Sequence, residues 1–281
     1  MPTPDLAQLR SVALRVAVET AELVEQIRVR AVRDIDTKST ETDVVTAGDR
    51  AAEGLIRDRL ARLRPGEPVL GEEDGWGSGG AVSGEVTWVV DPIDGTVNYL
   101  YGLPWYAVSV AAVVDWEPVA AAVVEPSSGR RWTAARGMGS QLGSTALRVT
   151  GTTRLDLALI GTGFSYSAQR RVWQARLAAE LLGRARDVRR GGSSALELCS
   201  VAAGWLDGYV EHGLHPWDWA GGALIAAEAG AVLRLPRPDG SDPDGLGADL
   251  TLAAAPGIAE ALTKLVRDVV QGPSSHVGPG A

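Results

Sequence analysis

Two carboxylates stand three residues apart in Asp91-Pro92-Ile93-Asp94-Gly95-Thr96, directly after the apolar run Val86 to Val90. A buried strand that ends in paired carboxylates presents hard oxygen ligands at the end of a sheet. Mg2+ takes ligands of this kind, with water and substrate phosphate completing its shell. Pro92 stiffens the segment between the two acids, and Gly95 permits a sharp turn and the close approach of a ligand. Gly95-Thr96 can open a short helix whose first N–H groups favour a phosphate. A solvated turn with an Asp cap would need only one such carboxylate.

Further acidic groups lie elsewhere in the chain. Gly71-Glu72-Glu73-Asp74 follows the short apolar pair Val69-Leu70; alone it reads as a solvated loop, beside the first motif as a bridging ligand at a strand end. Asp218, in Trp217-Asp218-Trp219-Ala220-Gly221-Gly222, sits at the start of a helix of small residues, where a helix cap and a metal carboxylate are both reasonable. Asp49 falls on the first turn of a helix after Asp43-Val44-Val45-Thr46-Ala47-Gly48, with Lys38 as a nearby cation that offers electrostatic support; solvated charges around a cap are the plainer alternative.

Weaker candidates give less. Gly137-Met138-Gly139-Ser140-Gln141-Leu142-Gly143 lacks the spacing and the strand-to-helix context of a dinucleotide loop and reads as a hairpin turn. Gly191-Gly192-Ser193-Ser194-Ala195 opens a helix after a strand and can serve a ligand or simply make a tight turn. His212, His215 and His276 make no metal spacing with a cysteine, although the first two flank Gly213 near Asp218. The chain has no Ser-His-Asp elbow and no phosphate loop ending in Gly-Lys-Ser/Thr.

The elements that must carry these groups follow from periodicity. Pro4 to Arg33 reads as one amphipathic helix, and Ala47 to Leu63 as a second that ends before Pro65-Gly66. Between them runs a polar stretch, Asp34 to Thr46. Val69-Leu70, Val86 to Val90, Tyr106 to Asp115, Val119 to Val124 and Arg131 to Ala135 read as strands, with turns at Trp116-Glu117-Pro118 and Ser127-Ser128-Gly129. After Gly151 strands and helices alternate: strands at Ala158 to Gly161, Asp187 to Arg190, Gly208 to Glu211, Ala231 to Leu235 and Leu250 to Ala255, and helices at Ala168 to Leu182, Ser193 to Ala203, Trp217 to Ala229 and Ile258 to Val270. The pattern predicts a mixed α/β chain of two halves, 1–150 and 151–270, with a Gly/Pro/Ser-rich flexible tail at 271–281.

Composition sets limits. The 281 residues suffice for one large core or two joined ones, and the net charge of −8 disfavours a nucleic-acid partner. An acidic protein that binds an anion needs metal cations or a local basic group. Cys199, the only cysteine, excludes an internal disulfide and reads as a packed core residue, which fits a reducing cytoplasm. No secretory signal and no run long enough to span a bilayer is apparent, so no membrane role is expected.

Taken together, the motifs resemble the inositol monophosphatase family of lithium-sensitive, magnesium-dependent phosphatases, its actinobacterial members above all. The likeness runs from the first helix to about Val270 and is carried by the Asp-Pro-Ile-Asp-Gly-Thr run followed by Trp-Asp-Trp-Ala-Gly-Gly, and by GTGFSY, DVRRGGSSALELCSVAAG and YVEHG. The resemblance implies a five-layered αβαβα sandwich, usually a homodimer. It implies metal ligation by Glu72, Asp91, the Ile93 carbonyl, Asp94 and Asp218, and a phosphate-binding turn at Gly95 and Thr96. Asp49 and Thr96, with Glu72 beside them, match the groups that hold and activate the attacking water. Asp94, Ser193, Ser194, Ala195, Glu211 and Asp218 match the region that contacts the inositol. Val97, Tyr99 and Leu103 depart from common family residues without removing a ligand.

The expected activity is hydrolysis of inositol 1-phosphate with two or three Mg2+ per site, Mn2+ being a possible substitute. Several carboxylates in one pocket repel one another and raise each other's pKa, and divalent cations relieve this while drawing in a phosphate dianion. Alternatives are the same chemistry on histidinol phosphate, fructose 1,6-bisphosphate or an adenosine bisphosphate, and, more remotely, a non-catalytic regulatory protein.

Overall fold

A computed structural model describes residues 4–31, 35–37, 44–77 and 80–272. Lys38, Asp43, His276 and most of the expected tail lie outside the described residues.

The first helix, α1 (Leu6–Ala31), buries Leu9, Ala13, Val16, Thr20 and Val24, a stripe at helical spacing. Thr20 is tolerated there because its hydroxyl donates to the Val16 carbonyl at 2.8 Å. The stretch expected to be merely polar contains two short antiparallel strands, β1 (Ile35–Thr37) and β2 (Val44–Thr46). Helix α2 (Ala47–Leu63) follows at once, with Ala52, Ile56 and Leu60 buried against α1.

A seven-stranded sheet comes next, in the order β3 (Val69–Gly71), β4 (Val86–Asp94), β5 (Ala107–Val114), β6 (Glu117–Glu125), β7 (Arg130–Ala135), β8 (Ser140–Leu142) and β9 (Thr145–Ala146). Only β3 and β4 run parallel. The short helix α3 (Thr96–Leu100) links β4 to β5. The β5–β6 turn falls at Asp115-Trp116, one residue before the expected position, and both residues take positive φ. A two-residue hairpin demands that conformation, and Asp115 is held in it by hydrogen bonds from the Ser83 hydroxyl and the Gly84 N–H. The glycine run 137–143 makes a hairpin, as its spacing suggested: Gly137 and Gly139 take positive φ in the turn, and Ser140–Leu142 returns as β8.

The second half forms a five-stranded sheet in the order β11 (Asp187–Arg189), β10 (Leu159–Thr162), β12 (Gly208–His212), β14 (Leu250–Ala254) and β13 (Val232–Arg234). Its helices are α4 (Ala168–Arg184), α5 (Ser194–Ala202), α6 (Pro216–Glu228) and α7 (Pro256–Gln271).

Strand alternation reveals the layers, because successive side chains point to opposite faces. On β5, Val108, Val110 and Ala112 pack with α1 and α2, while Ala107, Ala111 and Val113 pack with α5 and α6. On β12 and β14, Tyr209 and Ala253 face α5 and α6, whereas Val210, Leu252 and Ala254 face α4 and α7. The order is therefore α1/α2, the large sheet, α5/α6, the small sheet, α4/α7: the αβαβα sandwich. Helices α5 and α6 are covered on both sides, so their runs are almost wholly apolar. Cys199 on α5 is a buried free thiol, and burial pushes its pKa well up.

Candidate active site

Strand β4 does not stop at Val90; it continues through the acidic motif to Asp94, buried along its whole length. Asp91 pairs with Ser109 and Asp94 with Ala107, so three steps on β4 match two on β5. In a regular strand residues three apart face opposite sides; the extra residue is a β-bulge that returns both carboxylates to one side. Asp91 braces this bend by accepting from the Ile93 N–H at 3.0 Å, and the Thr96 hydroxyl donates to the Ile93 carbonyl at 3.1 Å. Gly95 caps α3 with φ +96°, and a Cβ there would press on the carbonyls of Trp105 and Gly192 at 3.1 and 3.2 Å. With five residues, α3 is too short for a helix dipole of consequence.

Asp94 is met by the start of α5. The Ser193 hydroxyl and the Ala195 N–H donate to its Oδ2 at 2.5 and 2.8 Å, and the Ser194 hydroxyl to its Oδ1 at 3.2 Å. The expected inositol contacts Ser193, Ser194 and Ala195 are thus engaged with a carboxylate, and Ala195 has its side chain fully in the core. Asp218 comes from the first turn of α6, where the His215 N–H donates to its Oδ2 at 2.6 Å, so it acts as a helix cap as well.

Asp91, Asp94 and Asp218 each offer a carboxylate oxygen within 4.8 Å of the other two. Burial, followed by the charges of Glu72, Asp94, Asp218 and Asp49, drives the Asp91 pKa well above the usual carboxylate range. Burial and then the Asp94 charge do the same to Asp218. Asp94 is raised by burial, against which its Ser193, Ala195 and Ser194 donors pull down. Three crowded, desolvated carboxylates with all-oxygen donors fit a hard divalent cation, which would relieve the desolvation and the repulsion together.

The trio opens into a cavity of about 550 Å³. Glu72, the Ile93 segment, Gly95 and Thr96 line it, as do Ser193, Ser194 and Glu211. Asp49 is buried at the start of α2; its charge reaches Asp91, but it does not line the cavity.

Glu211, on β12, accepts from the Tyr209 hydroxyl at 2.5 Å, and burial pushes its pKa up to about 7. Gly163 lies so close that a Cβ there would come to 1.8 Å of Glu211 Oε2. Glu197, absent from the sequence reading, also lines the cavity; it accepts from the Gly191 N–H at 2.6 Å and is raised to about 7 by burial. The available signal was a lone acid in the apolar run Ser194–Ala202. Arg190 is the only Arg or Lys on the cavity wall among the described residues. His212 and His215 also line it; the former is bonded through Nδ1 to Asp249 at 3.1 Å, the latter stacks on Trp217.

Comparison with known proteins agrees with this geometry. The model of the inositol monophosphatase family matches residues 5–271. An inositol-1-monophosphatase of Mycobacterium leprae is 50% identical over 277 residues, which are 93% of this chain and 94% of that protein. A protein of Pseudomonas aeruginosa named Nus factor SuhB is 37% identical over 230 residues, 79% of this chain and 83% of its own. The solved structure of Mycobacterium tuberculosis SuhB matches with a TM-score of 0.80 and 44% identity, covering 95% of this chain and 98% of its own. The chain belongs to the inositol monophosphatase family.

Proposed function

We propose that the protein is a magnesium-dependent phosphomonoesterase that hydrolyses inositol 1-phosphate to inositol and phosphate. The observation that carries this reading is the trio of buried Asp91 and Asp94 with half-buried Asp218, which opens into a cavity large enough for a sugar phosphate. Asp91, Asp94 and Asp218 would hold the metal, with Glu72 and the Ile93 carbonyl as further ligands. When bound, Mg2+ supplies positive charge that draws in a phosphate dianion and makes water acidic enough to attack near neutral pH.

The chain's own groups do the rest. Asp94 is kept in one orientation by its donors from α5, and Asp218 by the His215 N–H. The Gly95-Thr96 turn offers N–H groups to the phosphate, through local hydrogen bonds rather than a helix dipole. Thr96, on the cavity wall, orients the attacking water, and Asp49, set behind that wall, acts on the site through its charge at Asp91. Glu211, held by Tyr209 on the cavity wall, receives the polyol hydroxyls. A homodimer, lithium sensitivity and a cytoplasmic setting belong to the same reading and rest on the family resemblance. Among the described residues no helix is long and apolar enough to cross a membrane.

A phosphate-release screen over inositol 1-phosphate, histidinol phosphate, fructose 1,6-bisphosphate and an adenosine bisphosphate, with and without Mg2+ and Li+, tests it. The expected result is Mg2+-dependent release, fastest from inositol 1-phosphate. Tenfold preference for histidinol phosphate would overturn the substrate; no Mg2+-dependent release from any ester would overturn the reaction. The name of the Pseudomonas relative favours a second, regulatory reading, but a chain freed from catalysis has no reason to keep four ligand carboxylates around one cavity.

A further inference from the structure

We infer that Glu53 is a positioning residue: through the main-chain N–H groups of Glu73 and Asp74, directly after Glu72, it ties the Glu72 loop to helix α2, and so sets how tightly a divalent cation is held. The inference rests on the reading of the carboxylate cavity as a metal site.

Glu53 lies one helical turn after Asp49 on α2 and is 1% exposed. A carboxylate so placed must be paired or fully hydrogen-bonded. Arg57, one turn further on, binds it at 2.8 Å. Its remaining capacity goes to the loop after β3: it accepts from the Glu73 N–H at 2.8 Å and the Asp74 N–H at 3.1 Å. Arg57 completes the grip by donating to the Val69 carbonyl at 3.2 Å and the Gly75 carbonyl at 2.7 Å. One ion pair thus holds both the N–H and the C=O groups of the segment from Val69 to Gly75. The loop closes on itself through the Gly71 N–H to the Gly75 carbonyl at 3.0 Å. Gly71 is needed because a Cβ would come to 2.5 Å of the Glu53 carboxyl group.

These contacts grip main chain and leave the Glu72 side chain to the cavity it lines. The same helix carries Asp49 on its first turn. Residues four apart share a helix face, so α2 acts as one rigid part that sets Asp49 directly and Glu72 through Glu53. A buried ion pair is weak support for stability, whereas groups that orient a metal ligand commonly govern affinity.

The test is titration of the metal-free, full-length protein with Mn2+, followed by electron paramagnetic resonance of the free ion, together with hydrogen exchange over residues 70–77. Glu53→Gln should weaken Mn2+ binding about 10–100-fold and speed exchange at the Glu73 and Asp74 amides. Leu60→Ala, a cavity variant in the buried face of the same helix, should lower the melting temperature and leave Mn2+ affinity unchanged. Should Glu53→Gln not fold, Arg57→Ala, on a partly exposed side chain, must move both readouts in the same direction. Wild-type Mn2+ affinity in a folded Glu53→Gln or Arg57→Ala protein overturns the inference while leaving the metal reading intact. Equal weakening by Leu60→Ala also overturns it, since general destabilisation would then suffice. A wild-type protein that takes up no Mn2+ overturns the metal reading, and the inference with it.

Discussion

The Ser193 hydroxyl reaches the Asp94 carboxylate at 2.5 Å across 99 residues of chain. Asp94 ends a strand of the large sheet, and Ser193 caps a helix that lies between the two sheets. The seam is closed beside them by Asn98, whose Nδ2 donates to the Trp105 and Gly191 carbonyls at 2.7 and 2.8 Å. The carboxylate trio therefore exists only when both halves of the chain are docked.

Asp94→Asn should lower the rate of phosphate release by ~100-fold or more at saturating Mg2+, the scale of one lost electrostatic contact at a reacting centre. Asp218→Asn should behave alike. Turnover like that of the wild type in either variant would remove these residues from the reaction.

Gly95→Ala forces a side chain into left-handed backbone, which costs about 1–2 kcal/mol, and presses it on the Trp105 and Gly192 carbonyls. The expected outcome is a lower melting temperature together with loss of activity, because Gly192 leads into the helix that holds Asp94. Thermal unfolding and a phosphate-release assay on the same sample check both.

Gly163→Ala places a methyl group on Glu211 without any backbone penalty, since this glycine does not take positive φ. Displacing the carboxyl group proposed to receive the substrate hydroxyls should cost about 10-fold or more in kcat/KM for inositol 1-phosphate. The Mg2+ dependence should stay as it was. A shift in the Mg2+ requirement instead would mean that Glu211 belongs to the metal centre.

Stability of the metal-free protein should fall as pH rises from about 5 to above 7. Burial lifts Glu211 and Glu197 from 4.5 to about 7, so over that interval the folded state holds protons the unfolded chain has released. Their contribution is complete below the unfolded value and is lost as pH climbs through the folded one. Glu197→Gln should flatten this slope in melting temperature measured against pH; an unchanged slope would show that Glu197 does not hold its proton.

Asp207→Ala should destabilise by about 2 kcal/mol, or about 4–8 °C in melting temperature. The carboxylate accepts from the Thr150 and Thr152 hydroxyls at 2.6 and 2.7 Å and from the Leu159 N–H at 2.8 Å, tying the chain entering the second half to its sheet. Activity per folded molecule should not change, which calorimetry alongside the phosphate assay would establish.

Much of the fold was legible in the residues because α1, α2, α4 and α7 show helical stripes and the strands are short apolar runs between Gly and Pro. Helix α2 matched its expected span of Ala47 to Leu63. Short pairings such as β1 with β2 and β8 with β9 were hidden, since two or three residues carry too little periodicity to mark a strand. The extension of β4 to Asp94 was hidden too, because a bulge depends on the register of the partner strand.

The amino-acid sequence by itself determined which chemistry was available: the types and order of Asp91, Asp94, Glu72 and Asp218 specify hard oxygen donors, whatever the fold does with them. Only the tertiary structure decided which acids are structural and which face the cavity. Nothing in the sequence singled out Glu53 and Arg57; only the fold makes them a clamp on the main chain of the loop carrying Glu72. Glu197, one acid within the apolar run of α5, is part of the cavity wall only through the tertiary fold. Burial and repulsion, which turn a set of carboxylates into a cation site, depend on distances between remote segments, and no local pattern encodes those.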